Sequence, residues 1–532
     1  MDTKALRQKI LNLAIRGKLV PQDPNDEPAS VLLERIRAEK QQMVKDGKLK
    51  AKDIKNDTVI FKGDDNLHYE QFADGTVKCV EDEIPFDLPE GWEWCRLQTL
   101  CVKEIKRGKA PKYEEKSNTL VFAQKCNTKA GYIDISKAKF LDQSTLKKYT
   151  DEDYLSYNDI IINSTGTGTL GRIGIYMESD DAYGIKIVPD SHITIVRTMS
   201  SEMNSRYVYY FLKYHQSYFE NSGVGSTNQK ELKPEVISTF LVAVPPIEEQ
   251  NNIVSKIDIA NNYSFDLDNK KEQLKELISA IKSKILDLAI RGKLVPQDPN
   301  DEPASVLHER IRAEKEELIK QGKIKRDKKE SVIFKGDDNS YYRLTADNKS
   351  NIIDIPFNIP DNWEWCNLSM IGSTNIGLTY KPVDIVADGT MVLRSSNIIN
   401  GKIDLSDLVR VNSTIRENQY IQENDILICA RNGSKALVGK CAIYENANEK
   451  ASFGAFMAVY RSRFFKYVYY FLNSEFFRNT FSNDDSKQIN QLTQDMIKNT
   501  TIPLPPLAEQ KRIVEAIETA FAQLDEILNS IS

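Results

Sequence analysis

Five short stretches of the chain concentrate side chains able to hydrogen-bond with base edges and phosphates. They hold Ser164, Thr165, Thr167 and Arg172; Asn228, Gln229 and Lys230; Arg394, Ser395 and Asn397; Arg431, Asn432, Ser434, Lys435 and Lys440; and Lys487, Gln488 and Asn490. Arg and Lys pair with guanine O6 and N7, and Asn and Gln with adenine N6 and N7, so stretches of this composition suit base readout. Any single member could equally be an ordinary polar turn residue; it is the pattern that points to nucleic acid. The charge distribution agrees. Residues 95–150 carry 13 Lys/Arg against 5 Asp/Glu, in a chain whose net charge is −5. The cluster Lys103, Lys106, Arg107, Lys109 and Lys112 opens this region, and Lys125 lies within it. Residues 431–480 carry 8 Lys/Arg against 3 Asp/Glu. Local cationic stretches of this kind suit phosphate contacts even in an acidic protein.

Other chemistry finds no support. Residues 166–171 read GTGTLG and fit a dinucleotide fingerprint, but the following RIGIY reads as a second strand, whereas the pyrophosphate needs a helix N-terminus. Residues 433–441 imitate a phosphate loop but are one residue too long and end in Lys440-Cys441. The histidines (His68, His192, His215 and His308) lack metal-ligand spacing, and neither a methyltransferase Asn-Pro-Pro-aromatic signature nor a compact nuclease set is present. The chain reads as non-catalytic, with no cofactor or metal of its own.

The candidate stretches sit on a duplicated frame. Residues 9–40 and 284–315 are identical except for Asn12/Asp287 and Leu33/His308. In each copy a helix stops at Gly17 (Gly292), a Pro/Asp/Asn-rich loop follows, and a second helix is expected over residues 30–46 (305–321), ending at Gly47 (Gly322). A Lys-rich connector after it, residues 320–329, reads more simply as a solvated linker than as a DNA site. The duplication continues at lower similarity. VIFKGDDN recurs at 59–66 and 332–339, Trp92/Trp94 match Trp363/Trp365, Asp159-Ile160 match Asp425-Ile426, and YVYYFL recurs at 207–212 and 467–472. The paired tryptophans are expected as core or strand anchors rather than base-stacking platforms. Between these anchors the halves diverge, and short β-branched runs dominate, so each half carries a strand-rich α/β globule.

Residues 247–291 contain neither Gly nor Pro. Ile253, Ile257, Ala260, Ser264, Leu267, Lys271, Leu274, Ile278, Ile281, Ile285 and Leu288 follow alternating spacings of four and three, the seam of a coiled coil. The C-terminus repeats the first part of this stretch, with a seam at Ile513, Ile517, Ala520, Leu524, Ile527 and Ile531. The N-terminus repeats the last part with Leu6, Ile10 and Leu13. The chain ends are therefore expected to build a broken copy of the central helix. The expected fold class is α+β: two homologous mixed α/β domains separated by long antiparallel coiled-coil helices, in a pseudo-two-fold circular arrangement. The expected divisions are 1–55 (N-terminal helix and helical docking segment), 56–244 (first recognition domain), 245–330 (central helix and second docking segment), 331–504 (second recognition domain) and 505–532 (C-terminal spacer helix).

The chain has 532 residues, enough for several domains. Its seven cysteines form no Cys-x-x-Cys pair, and no apolar run is long enough to span a bilayer. A cytoplasmic protein without membrane contact is expected.

With IPLPPLAEQKRIVEAI at 502–517, its partner VAVPPIEEQNNIVSKI at 242–257, the Asp-Ile-apolar strand before each Gly-containing turn and the duplicated ILxLAIRGKLVPQDPNDEPASxL block, the chain resembles the specificity subunit of a type I restriction–modification enzyme. The resemblance covers essentially the whole chain. It implies two target-recognition domains that each read half of a split double-stranded DNA sequence, and helical spacers that dock two methyltransferase subunits. Restriction subunits join through these. S-adenosylmethionine, ATP and Mg²⁺ are then expected on the partner subunits, which supply the adenine-N6 methylation and ATP-dependent cleavage.

Overall fold

The computed structural model describes residues 2–129, 131–180, 184–225, 230–326, 331–345, 349–445, 449–482 and 491–531. The chain divides into two compact units, Met1–Lys270 and Lys271–Ser532. Asn228, Gln229, Lys487, Gln488 and Asn490 lie outside the described residues.

Each unit repeats one plan. In the first, the helices Thr3–Ile15 and Ala29–Lys45 precede a three-stranded meander, Val59–Lys62, His68–Gln71 and Val77–Cys79. A four-stranded antiparallel sheet follows, ordered Ile173–Ile175, Ile160–Asn163, Ile193–Val196 and Lys106–Arg107. Its central strands are buried along their whole length, which is why they read as continuous apolar runs. The second unit matches these with the helix Ala304–Lys320, the meander Ser331–Lys335, Tyr341–Thr345 and Ser350–Ile353, and a sheet ordered Ser373–Ile376, Met457–Arg461, Ile426–Cys429 and Cys441–Ile443. Each unit adds another four-stranded sheet with one parallel pairing: Thr119–Phe122 with Lys186–Pro189, and the end of Ile385–Leu393 with Ala451–Phe453. Here the units differ. The fourth strand, Tyr113–Glu114, extends the first sheet beyond Lys139–Leu141, whereas Tyr420–Ile421 pairs with Ala451–Phe453 on the opposite edge.

The motif repeats become intelligible as one buried junction. Glu249 is 2% and Glu509 0% exposed. The Glu249 carboxylate accepts the Trp92 indole N–H at 2.8 Å and the Gln22 amide at 3.1 Å; Glu509 accepts Trp363 at 2.9 Å and Gln297 at 2.5 Å. The next residue turns back to the proline pair: the Gln250 and Gln510 amides donate to the Pro245 and Pro505 carbonyls at 2.9 Å. Gly17 and Gly292, at φ +62° and +67°, lie where a Cβ would come within 2.5 Å of Pro89 and 2.4 Å of Pro360. Thus the Pro-Pro-x-x-Glu-Gln helix start, the Trp pair and the near-identical block meet at one place in each unit. Trp92, Trp94, Trp363 and Trp365 are buried anchors.

The helix Ile247–Ile290 is continuous. Its seam positions are buried or half-buried except Ile281, which is 37% exposed, the same as its N-terminal counterpart Leu6. Within the first unit, Thr3 and Arg7 bond to Asp268 at 2.8 Å; within the second, Lys282 pairs with Asp525 at 2.5 Å. In the C-terminal helix Leu507–Ile531, Ile527 was expected inward but is 45% exposed, while Leu528 is half-buried. The seam drifts there by one position, as an α-helix of 3.6 residues per turn does against a strict heptad.

Candidate nucleic-acid interface

Among the described residues, the polar stretches at 164–172 with Lys230, and at 394–397 with 431–440, adjoin one tip of the buried sheet in their own unit, on a frame that the two units share. In the first unit the strand Ile160–Asn163 runs into the glycine-containing turn and returns as Ile173–Ile175. The Ser164 N–H donates to the His192 carbonyl, and the Leu232 N–H to the Ser164 carbonyl, both at 2.8 Å. In the second unit the Ala430 N–H donates to Phe456 at 2.9 Å, and the Leu492 N–H to Ala430 at 2.7 Å. Thr165 bridges Glu231 as Arg431 bridges Gln491. Both decoy motifs are therefore strand–turn–strand tips. Gly171, at φ +72°, closes the first; a Cβ there would sit 2.4 Å from the Glu220 nitrogen.

A buried carboxylate braces each frame. Asp159 accepts a two-pronged bond from Arg197 at 2.7 and 2.6 Å, and Asp425 the same from Arg461 at 2.7 and 2.6 Å. The Asp of the Asp-Ile motif thus fixes the strand that ends in the tip. Its arginine partners escape sequence reading because they lie 38 and 36 residues away.

The structure redistributes the candidate residues. Several are interior. Ser164 is fully buried and shares its hydroxyl with Thr194 at 2.5 Å. Asn397 is 1% exposed; its amide donates to the Asp404 and Asp407 carbonyls, and its oxygen accepts the Arg394 N–H. The Arg172 guanidinium clamps the turn through the Asn127 carbonyl at 2.7 Å and the Gly168 carbonyl at 3.1 Å. The basic cluster is likewise partly consumed. Arg107 pairs with Glu231 at 2.7 Å and donates to the Leu232 carbonyl, Lys109 pairs with Asp153 at 2.6 Å, and Lys103 donates to the Glu152 carbonyl. Burial pushes the Lys103 ammonium down to about 8. Net charge counted along the sequence therefore overstates the cations available for phosphate, because it cannot see which are already paired.

Others remain outside. Lys106, Lys125, Thr167, Lys230, Ser434 and Lys435 are exposed, and Lys440 is half-buried. Arg394 pairs with Asp407 at 2.8 Å. Asn432 donates to the Ser395 hydroxyl at 3.3 Å and caps the Ser434 N–H at 3.0 Å, so it shapes the second tip. The exposed Arg431 guanidinium lies 5.4 Å from the centroid of Phe456. The first tip adds Gln124, whose amide donates to the Thr165 hydroxyl at 2.5 Å, and His192, which shares that hydroxyl at 2.7 Å. Sequence reading missed Gln124, His192, Phe456 and Gln491. A lone histidine and an isolated phenylalanine carry no local signal, and only the sheet register brings them to the tip.

A family profile, the type I restriction modification DNA specificity domain, matches residues 89–276 and 360–532. The chain is 30% identical over 575 residues to the type I restriction enzyme EcoAI specificity subunit of Escherichia coli, covering 97% of this chain and 88% of that one. The chain belongs to the type I restriction–modification DNA-specificity family. The EcoEI specificity subunit of Escherichia coli is 28% identical over 590 residues, covering 98% and 90% of the two chains. A chain solved in a study of type I restriction–modification complex assembly shares the fold at TM-score 0.53 and 16% identity, over 84% of this chain and 94% of that one. The second profile match lies within the second unit and the first lies within the first unit except for residues 271–276 of the long helix, so each tip belongs to its own specificity domain. Both meanders of this specificity subunit lie outside the matched residues. Among the described residues no helix is long and apolar enough to cross a membrane.

Proposed function

We propose that this specificity subunit reads a bipartite double-stranded DNA target in the cytoplasm, one half-site per specificity domain, and directs methyltransferase and restriction subunits to it. The observation that carries this is the tip: one backbone frame, with two backbone bonds and one bridge matching between the units, carries Gln124, Thr165 and His192 in one and Arg394, Arg431 and Phe456 in the other. A shared frame with exchanged outward side chains is what reading two different sequences requires. The chain contributes recognition; S-adenosylmethionine, ATP and Mg²⁺ belong to its partners.

Purified with its methyltransferase partner, the chain should direct adenine methylation to a split motif, read by single-molecule mapping; methylation without a defined motif would refute the proposal. Lys106→Ala should weaken binding to all duplexes alike and lower the salt slope by about one unit, as loss of one phosphate contact does. Arg431→Ala should instead relax one position of one half-site. Arg107→Ala should lower stability, because its partners are Glu231 and Leu232.

The near-identical blocks support two equivalent docking surfaces for two methyltransferase subunits. Packing explains the identity of Gly17, Gln22, Ala29, Leu32 and Ile36, but Asp23, Pro24, Asn25 and Glu27 are exposed, and Val31 and Val306 are 39% and 43% exposed. Recent duplication alone would also preserve them. Protection of both blocks from hydrogen exchange on complex formation supports docking; protection of one block only would contradict it.

A further inference from the structure

We infer that the residue immediately before the equivalent strands Ile193–Val196 and Met457–Arg461 of the buried sheets, His192 in one unit and Phe456 in the other, sets which base its half-site accepts at one position. The inference rests on the DNA-reading function proposed above and assigns roles to two residues at structurally equivalent places.

In the first unit a relay fixes the histidine. The Gln124 amide nitrogen donates to the Thr165 carbonyl at 2.8 Å and to the Thr165 hydroxyl at 2.5 Å. That hydroxyl has one proton of its own, and its remaining partner is His192 Nδ1 at 2.7 Å. In the tautomer in which this hydroxyl donates to Nδ1, the ring N–H lies on Nε2. His192 is exposed, and in that tautomer it offers Nε2–H as a donor to a ligand. Gly166 makes room for the relay: a Cβ there would sit 2.9 Å from the Gln124 side-chain oxygen. In the major groove a lone donor matches purine N7, guanine O6 or thymine O4, and rejects cytosine, whose edge presents an amino donor.

In the second unit the same place holds Phe456, 61% exposed. Arg431, at the place of Thr165, lies over its ring, and among the described residues no carboxylate pairs with the guanidinium. A planar fork lying over an aromatic face, with no carboxylate partner among the described residues, suits guanine O6 and N7. Phe456 is here a positioning residue that acts through Arg431.

The test is methylation of a duplex library with both half-sites randomised, using the full chain assembled with its methyltransferase partner. A split motif from the wild type establishes the reading function independently; its absence would sink that function rather than this assignment. His192→Ala should relax one position of one half-site and leave the other half-site unchanged. His192→Asp, an acceptor, should turn that position toward cytosine or adenine, whose edges carry amino donors. Phe456→Leu should lower guanine preference at one position of the other half-site by roughly two- to fivefold, the scale of an exposed cation–π contact. Phe456→Tyr, which keeps the ring, should retain that preference. Unchanged motifs in His192→Ala, His192→Asp and Phe456→Leu, with melting profiles like the wild type, would overturn the inference. So would a uniform loss of methylation without any change in base preference.

Discussion

Asp159→Asn should destabilise the first specificity domain by about 3–5 kcal/mol, the scale for breaking a buried ion pair by removing one partner. Asp159 is 1% exposed as a side chain and Arg197 19%, so the substitution strands a largely buried guanidinium. It also weakens the bond that the carboxylate accepts from the Ser156 N–H at 2.8 Å. Asp425→Asn breaks the matching charged fork and weakens the matching bond accepted from the Gln422 N–H at 2.7 Å, but Arg461 is 33% exposed and can recover water. Its cost should be smaller, about 2–3 kcal/mol. Hydrogen exchange reads the two domains separately: Asp159→Asn should speed exchange in Ile160–Asn163 and leave Ile426–Cys429 protected, and Asp425→Asn the reverse. Equal deprotection of both strands by either variant would show that the carboxylates do not brace their own sheets. The functional consequence follows from position. Each braced strand runs directly into the tip proposed to read DNA, at Thr165 or Arg431, so loosening it should blur one half-site before the other.

The parts legible in sequence share one property: their signal is local. The heptad spacing along 247–291 located a single helix, because a seam is written every three or four residues. The GTGTLG run could be assigned to a strand–turn–strand because the residues after it, RIGIY, carry strand character. The near-identical blocks exposed the duplication directly. What was hidden depends on separation along the chain. Arg197 and Arg461 close onto aspartates more than thirty residues away. Ser164 and Asn397 read as polar surface residues, yet their hydrogen bonds are satisfied inside, which is the condition under which polar side chains are buried. Arg107 and Lys109 read as phosphate ligands, but nearby carboxylates already neutralise them. His192 and Phe456 became visible as a pair only when the matching bonds of Ser164 and Ala430 aligned the two tips.

The buried glutamates give the other large effect. Glu509→Ala should cost the second unit about 1–3 kcal/mol, because it leaves the buried Trp363 indole N–H without its acceptor; the exposed Gln297 amide can turn to water. Glu509→Gln should cost less than half as much. Its amide oxygen still accepts from Trp363, and it removes a carboxyl that burial raises above the usual range. The sign of the pH dependence follows. A carboxyl whose folded-state pKa is raised holds its proton more tightly when folded, so its contribution to stability is full below the unfolded value and is lost as pH rises through the folded value. Glu509→Gln should therefore flatten the decline in stability just above the ordinary carboxylate range, measured by denaturant unfolding at several pH values; an unchanged slope would show that Glu509 is not the titrating group. Glu249→Ala should behave alike but more mildly, since Gln22 approaches Glu249 to 3.1 Å whereas Gln297 approaches Glu509 to 2.5 Å. In the second unit Arg512 also pairs with Asp301 at 2.6 Å, so the junction there retains a second tie when Glu509 is lost. Because this junction joins the near-identical block, the Trp-bearing strand and the spacer helix, its loss should uncouple partner docking from base reading. Glu509→Ala should then bind DNA with its wild-type base preference yet direct less methylation per bound complex, a separation that a defect confined to the reading tip would not produce.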